Sequence, residues 1–232
     1  ALPISLSFFK ELLNKNKENS AYHIFQQSKF GEAFLSITPE RLFNIHDQQF
    51  ESISLAASAP RGENIQEDLA LELHLKTDDK LSREHNLVTE EIVRRLSLVA
   101  EKIHVSPLET MKLPYIQHRA ANISAILNQD FNLLDLIDLL HPTPAVGGMP
   151  WRLAKEKISE LEKSKRMAYA APIGVISAHS SELAVGIRSG FIEKNTLTLF
   201  GGAGIVQGSD ADQEWNETGN KMNPFLKVIN HD

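Results

Sequence analysis

Residues 202–221 read GAGIVQGSDADQEWNETGNK, the most informative stretch of this chain. A glycine-rich turn leads into Ser209 and Asp210, residue types that cap the N-terminus of a helix. Main-chain N–H groups at such a junction favour an anionic ligand. The stretch therefore predicts a turn, a helix that begins near Asp210, and a position for an anion between them.

Three charged residues follow on the predicted helix. Glu214, Glu217 and Lys221 are spaced i, i+3 and i+7, so they project from one face. Two carboxylates and an ammonium beside an anion-binding turn could hold a divalent cation and a carboxylate substrate together. The alternative is a capped surface helix with an ordinary Glu–Lys pair, which is the commoner reading of an isolated pair. The preceding glycine-rich turn favours the binding site.

Composition excludes several classes of function. The 232 residues carry a net charge of −6 with no basic block, which argues against a nucleic-acid partner. The chain has no cysteine, which excludes disulfides and thiolate metal sites and is typical of a cytoplasmic protein. No apolar run approaches the length of a membrane span, so we expect no membrane partner.

Hydrophobic periodicity and turn residues predict a layered α+β fold with largely antiparallel sheet. No linker divides the chain, so we expect one domain over residues 1–232. The region around Pro107 and Pro114 is predicted to be a loop. The predicted helices are residues 8–13, 64–75, 79–103, 133–140, 151–162 and a last one from 210, and the predicted strands are residues 22–25, 33–37, 42–45, 50–55, 169–176, 182–192 and 196–200.

One carboxylate in the second long helix is out of place. Apolar residues recur at helical spacing from Val88 to Val99, and the stripe extended back by one turn reaches Glu84. A carboxylate on an apolar face is costly unless it is paired, protonated or bound to a cation. Either the helix emerges into solvent there, where its dipole favours Glu84, or Glu84 shares a cation with Glu217.

Magnesium is the cation that suits such a pair of carboxylates. Mg²⁺ commonly takes one or two protein carboxylates together with waters and substrate oxygens. Histidine ligation has no support, because the nine histidines lack convincing ligand spacing. We interpret His85 and His118 as structural or surface residues.

Several motifs occur in order along the chain. They are residues 38–42 (TPERL), 55–62 (LAASAPRG), 84–88 (EHNLV), 141–148 (HPTPAVGG), 186–189 (GIRS) and the 202–221 stretch. Together they resemble the chorismate-utilising enzymes, most closely the isochorismate synthases of menaquinone and siderophore biosynthesis, over residues 34–228. The resemblance implies the antiparallel α+β fold of the anthranilate synthase component I type.

The resemblance implies a role for each candidate residue. Glu40 would be the general acid that protonates the departing C4 hydroxyl of chorismate, which requires a raised pKa. Glu84 and Glu217 would bind Mg²⁺, with Glu214 nearby, and the metal would hold the ring carboxylate. The substrate's carboxylates would be oriented by Arg188, by the turn of Gly202, Ala203 and Gly204, and by Lys221, while His141 matches a further active-site histidine.

The motifs also indicate which reaction is catalysed. Ala56 stands where relatives that form aminodeoxychorismate have a nucleophilic lysine, and Ala57-Ser58 replaces the Gly-Thr of aminating and salicylate-forming relatives. Ala57 and Ala171 stand where the family usually has glycine. We therefore expect water addition at C2 of chorismate with loss of the C4 hydroxyl, which yields isochorismate. A salicylate synthase and a non-catalytic chorismate-binding module remain alternatives.

The base that activates water is not among these motifs. In isochorismate synthases it is a lysine on a strand well upstream of the general-acid glutamate, and Glu40 lies too near the start of this chain. We therefore expect the chain to be the C-terminal portion of a longer enzyme and inactive by itself. A truncated sheet would expose an edge and apolar surface, which favours self-association.

Overall fold

The computed structural model describes residues 4–16, 21–29 and 31–230. Two antiparallel sheets with packed helices confirm the predicted layered α+β fold. The elements are α1 (Ile4–Lys15), β1 (Tyr22–Lys29), β2 (Glu32–Thr38), β3 (Arg41–His46), β4 (Gln49–Pro60), α2 (Ile65–Thr77), α3 (Asp79–Leu96), β5 (Ala100–Val105), β6 (Glu109–Lys112), β7 (Ile116–Leu127), α4 (Leu133–Leu140), α5 (Pro144–Gly147), α6 (Trp151–Leu161), β8 (Pro172–Ile176), β9 (Ser180–Val185), β10 (Ser189–Glu193), β11 (Thr196–Phe200) and α7 (Ala211–Ile229).

The strands are distributed over a small and a large sheet. The small sheet has the order β1-β2-β10-β11, and the large sheet has the order β5-β7-β4-β3-β9-β8, with β6 also paired to β7. The chain passes between the sheets twice, from β2 to β3 and from β9 to β10. These two connections lie next to each other, because Val185 N–H donates to the Glu40 carbonyl and Ile37 N–H donates to the Arg188 carbonyl.

Each sheet covers a hydrophobic core. The large sheet packs against α3 and α4 around buried side chains that include Phe43 and Phe50. The small sheet packs against α1 and α7 around Leu12 and Phe225. Helix α7 contacts both β4 and β11, so it spans the junction of the two sheets. Burial of large apolar side chains, worth about 1.5–3 kcal/mol each, holds this helix against the junction.

The predicted helix over residues 79–103 is wrong in its second part. Asp78 caps α3 by accepting a hydrogen bond from Leu81 N–H, and the helix ends at Leu96. The chain then turns into β5, whose Ala100 lies opposite Leu127 of β7. The apolar spacing continued past the helix end because β5 packs its inward residues on the same core.

The predicted loop around Pro107 and Pro114 is also wrong, because this region contains β6 and leads into β7. Strand β7 is the second strand of the large sheet and pairs with β4 along twelve residues of its neighbour. Its first half reads Gln117-His118-Arg119, and all three side chains are buried. Polar residues buried by neighbouring strands do not produce the alternation that predicts a strand.

The predicted strand over residues 182–192 is two strands in different sheets. Strand β9 pairs with β3 in the large sheet, and β10 pairs with β2 in the small one. Residues 186–188 form the connection between them. The predicted single domain stays a prediction, and its ends at residues 1–3 and 231–232 lie outside the described residues. None of the helices in the described part of the chain has the length and apolarity needed to cross a bilayer.

A β-bulge interrupts β4 at Ala57. The pairing with β7 shifts between Ala56 and Ser58, and Ala57 has a φ of 64°, a left-handed conformation that favours glycine. This conformation fits the glycine that the family resemblance leads us to expect at the position. Ala171 is the second residue at which the resemblance leads us to expect glycine. There the positive φ (62°) belongs to its neighbour Ala170.

We expect Ala57→Gly to stabilise the fold. Relief of the left-handed penalty exceeds the added chain entropy of glycine, for a net gain of roughly 0.5–1 kcal/mol in the free energy of unfolding. Urea denaturation of the variant measures this gain. Ala59→Gly, a buried position on the same strand, is the matched control and should lose about 1 kcal/mol. Equal losses in both variants would contradict the strain at Ala57.

Candidate active site

A cavity of about 910 Å³, counted up to its open mouth, lies at the junction of the two sheets. Strand β4, helices α3 and α7 and both connections between the sheets contribute to its wall. The structure brings most of the sequence-predicted site residues to this one place. Those that line the cavity are Glu40, Glu84, Arg188, Gly202, Ala203, Gly204, Glu217 and Lys221.

The predicted turn and helix start are confirmed. Asp210 caps α7 by accepting a hydrogen bond from Gln213 N–H at 3.0 Å, and Ser209 Oγ accepts from Val206 N–H at 3.1 Å. About three turns into the helix, Lys221 donates to the carbonyl of Gly202 at 3.0 Å. The ammonium therefore lies beside residues 201–204, where an anion is expected.

Glu40 is a buried carboxyl group with few partners. It lies in the connection from β2 to β3, is 4 % exposed, and accepts a hydrogen bond from Thr143 Oγ1 at 2.9 Å. Burial raises its pKa to about 7, against the hydrogen bond from Thr143 and the positive charges of Lys221 and Arg188. A large fraction of Glu40 is thus protonated near neutral pH, as its predicted role as a general acid requires.

Arg188 lies in the second connection, between β9 and β10, and contacts His118 of β7. The Arg188 guanidinium only donates hydrogen bonds, so its contact with His118 Nε2 makes that nitrogen an acceptor. The ring proton is then on Nδ1, which lies 2.9 Å from Ser58 Oγ. Burial and the charges of Arg188 and Lys221 hold the pKa of His118 well below its usual range. A neutral imidazole therefore supports the guanidinium without repelling it.

Sequence reasoning missed His118. It lies opposite Ser58 in the pairing of β7 with β4, lines the cavity and is 4 % exposed. Its interpretation as a structural or surface residue followed from the lack of metal-ligand spacing among the histidines. Once β7 is known to pair with β4, register alone places His118 beside the 55–62 motif.

The carboxylates of Glu84 and Glu217 face the same cavity. Burial, and next the charge of Glu217, raise the pKa of Glu84, while the main-chain N–H of Ala57 lowers it. A Cβ atom on Gly204 would lie 2.9 Å from Glu84 Oε1, so glycine leaves the space in front of this oxygen. Glu84 therefore does not emerge into bulk solvent, which removes the alternative interpretation of the apolar stripe.

These two carboxylates are hard oxygen donors that fit Mg²⁺. Their mutual repulsion, and the space kept open by Gly204, suit a cation completed by waters and substrate oxygens. Glu217 accepts from Lys221 Nζ at 2.7 Å, so the lysine occupies part of this donor set. Within residues 4–16, 21–29 and 31–230, no group of three or more His, Asp or Glu side chains is placed to hold a metal ion. The magnesium site stays a prediction.

Glu214 lies outside the main cavity. Its Oε1 accepts from Lys80 Nζ at 2.9 Å, and it lines a neighbouring cavity of about 1020 Å³. Glu217 and Ser58 line both cavities. Glu214 is therefore close to the predicted metal site but directed to a lysine.

His141 does not line the cavity. It follows α4, where its N–H donates to the Ile137 carbonyl, and burial and the charge of Arg95 lower the pKa of its imidazole to about 4. The 141–148 motif reaches the site two residues later, through the hydrogen bond from Thr143 to Glu40. Within this motif the structure shows Thr143, and not His141, in contact with Glu40, and the role of His141 stays a prediction.

The cavity at the junction of the two antiparallel sheets thus brings together cationic side chains, acidic side chains and the buried carboxyl group of Glu40. The model of a family described as chorismate binding enzyme matches residues 3–230. The chain belongs to this family of chorismate-binding enzymes.

Three relatives that the chain resembles are named isochorismate synthases. The chain is 36 % identical over 222 residues to isochorismate synthase MenF of Bacillus subtilis (95 % of this chain, 46 % of the relative). It is also 36 % identical over 214 residues to the chloroplastic isochorismate synthase 2 of Arabidopsis thaliana (91 % and 38 %). The solved menaquinone-specific isochorismate synthase MenF of Escherichia coli superposes with a TM-score of 0.89 at 32 % identity (99 % and 53 %). The chain spans about half the length of these relatives, or less.

The raised pKa of Glu40 predicts how stability depends on pH. Folded Glu40 binds more protons than the unfolded chain between its ordinary pKa of 4.5 and about 7, so the free energy of unfolding falls as pH rises through that range. Glu40→Gln should remove this loss, worth about 2–3 kcal/mol at pH 8. Denaturation at pH 5 and pH 8 measures the difference, with exposed Glu160→Gln as control. A variant that keeps the wild-type slope would show that Glu40 does not cause it.

Proposed function

We propose that this chain is the chorismate-binding portion of an Mg²⁺-dependent isochorismate synthase. The reaction adds water at C2 of chorismate and removes the C4 hydroxyl, and its product would feed menaquinone or siderophore biosynthesis. The observation that supports this most is the buried Glu40, with a pKa of about 7, in one cavity with the cationic side chains of Arg188 and Lys221. The names of the relatives support the same reaction.

The cationic side of the cavity would bind the two carboxylates of chorismate. Arg188 presents a planar guanidinium whose fork matches a carboxylate, and His118 fixes its orientation. Main-chain groups of residues 201–204 and the ammonium of Lys221 would receive the second carboxylate. Because these groups are partly withdrawn from water, their attraction for an anion is stronger than at an exposed surface.

The acidic side would hold the metal. Glu84 and Glu217 would bind Mg²⁺, which when bound neutralises the ring carboxylate of the substrate. Lys221 would then leave Glu217 and turn to the substrate, since its Nζ lies at hydrogen-bond distance from both Glu217 and the Gly202 carbonyl. Glu84 keeps the hydrogen bond from Ala57 N–H, which orients its carboxylate.

Glu40 would supply the proton. The buried carboxyl group donates it to the departing C4 hydroxyl, and the charges of Lys221 and Arg188 stabilise the carboxylate that remains. Thr143 Oγ1 holds one carboxyl oxygen, so the other can face the substrate. The relatives are about twice as long as this chain, and we propose that activation of the water needs a longer protein.

Chorismate binding tests the cationic side. We expect the 232-residue chain to bind chorismate, and Arg188→Lys to bind at least about tenfold more weakly, because lysine cannot offer the bidentate fork. Isothermal titration calorimetry measures both affinities in the presence of Mg²⁺. Exposed Arg152→Lys is the control for loss of a guanidinium. Equal affinities of wild type and Arg188→Lys would remove Arg188 from the substrate site.

Product analysis tests the reaction. In the full-length protein that carries this sequence, chorismate and Mg²⁺ should yield isochorismate by chromatography. Glu40→Gln should abolish most turnover while it still binds chorismate, because proton donation matters in the transition state. Salicylate as the product would instead indicate a salicylate synthase, and unchanged chorismate with retained binding a non-catalytic module. Near-normal turnover by Glu40→Gln would refute the general-acid role.

A further inference from the structure

Three segments that are distant in sequence line one part of the cavity. They are α5, residues 162–171 and residues 201–204. Residues 162–171 and 201–204 lie outside helices and strands. Helix α5 has four residues, too few to be stable without tertiary contacts. The shape of this part of the wall therefore depends on contacts between these segments.

Arg166 joins two of the three segments. Its Nε donates to Glu162 Oε2 at 2.8 Å, and its Nη2 donates to Glu162 Oε1 at 2.6 Å, which is a bidentate pair just after α6. Its Nη1 donates to the carbonyl of Val146 in α5 at 2.8 Å. One planar guanidinium thus links residues 162–171 to α5 in a geometry that a lysine cannot reproduce.

Arg166 also supports the aromatic ring that reaches the third segment. Its guanidinium carbon lies 5.7 Å from the centre of the Tyr169 ring, and that ring stacks on Phe200 at 5.7 Å and 15°. The Tyr169 hydroxyl lies over Gly202, where a Cβ atom would be only 2.6 Å away. The position of Tyr169 is therefore matched to the turn at residues 201–204.

The hydrogen bond from Arg166 to α5 is linked to Glu40 through Thr143. The N–H groups of Val146 and Gly147 donate to the Thr143 carbonyl at 3.1 and 2.9 Å, and the Thr143 hydroxyl donates to Glu40. The Arg166–Val146 bond thus fixes the short helix that holds the hydrogen-bond partner of Glu40. An exposed ion pair adds little stability, so the value of the Arg166–Glu162 pair lies in its geometry.

We propose that Arg166 is a positioning residue: it holds α5 and Tyr169 in place around the cavity, so that Thr143 meets Glu40 and residues 201–204 keep their shape. Arg166 acts through these groups and need not touch the substrate. The identity of the ligand rests on the proposed function, but the effect on α5 does not.

Hydrogen exchange tests the effect on α5 without a ligand. In Arg166→Gln, the amides of residues 146–148, which donate within α5, should exchange about tenfold faster, because a charge-assisted hydrogen bond to this segment is lost. Arg166→Lys should show a smaller increase, since lysine keeps a charge near Tyr169 but cannot serve Glu162 and Val146 together. Arg152→Gln, on α6 and exposed, is the control and should leave residues 146–148 unchanged.

An increase confined to residues 167–171, or no increase at all, would overturn the proposal. Melting temperatures accompany each measurement. If Arg166→Gln does not fold, Arg166→Lys carries the test with the same comparison between residues 146–148 and 167–171.

Calorimetry with chorismate and Mg²⁺ separates this proposal from the proposed function. We expect Arg166→Gln to bind chorismate at least about fivefold more weakly than wild type, with partial recovery in Arg166→Lys. The reason is that a cavity wall already ordered before binding lowers the entropic cost of binding. Unchanged affinity in Arg166→Gln would overturn the positioning role in binding. Wild type that does not bind chorismate would overturn the proposed function, and hydrogen exchange would still decide the role of Arg166.

Discussion

The two connections between the sheets support every other feature of the candidate site. Val185 N–H bonds to the Glu40 carbonyl, and Ile37 N–H bonds to the Arg188 carbonyl, so both connections cross the junction side by side. This pairing brings a buried carboxyl group and a guanidinium into one cavity, although they are far apart in sequence. The two cores on either side hold the sheets in position and prevent the connections from separating.

Opposite charges in this small space explain its chemistry. Burial alone would raise the pKa of Glu40 further, and the hydrogen bond from Thr143 together with the charges of Lys221 and Arg188 limits the rise to about 7. Burial and the same two cations lower the pKa of His118 and keep its ring neutral. A carboxylate ligand would be attracted by the cationic side, and Glu84 and Glu217 would be relieved of their repulsion by a divalent cation. A site with this arrangement is therefore suited to a carboxylate ligand and a divalent cation bound together.

The β-bulge at Ala57 connects the acidic and cationic sides. Its N–H bonds to the Glu84 carboxylate and its carbonyl accepts from the His118 ring, so one left-handed residue orients a group on each side. Arg188 itself also has a positive φ, of 46°. Backbone strain of this kind persists where the surrounding structure enforces it, and it concentrates at functional sites.

The sequence alone determined the features that rest on local chemistry and on motif order. The turn at residues 207–208, the cap at Asp210 and the helix that follows depend on neighbours in the chain, and each was predicted correctly. The position of Glu84 on an apolar stripe followed from helical spacing. The ordered motifs identified the chorismate-binding family and with it Glu40 and Arg188 as partners in one site.

Tertiary structure alone decided what depends on distant neighbours. The first half of strand β7 carries buried polar residues and shows no alternation, and His118, which lies there, was missed. The break between β9 and β10 was also missed, because only pairing with β3 and β2 assigns each half of residues 182–192 to its sheet. The contact of Thr143 with Glu40 and the pKa of Glu40 arise from burial and from groups that folding brings together. Sequence spacing cannot reveal these effects, since burial and long-range charge exist only once the chain has folded.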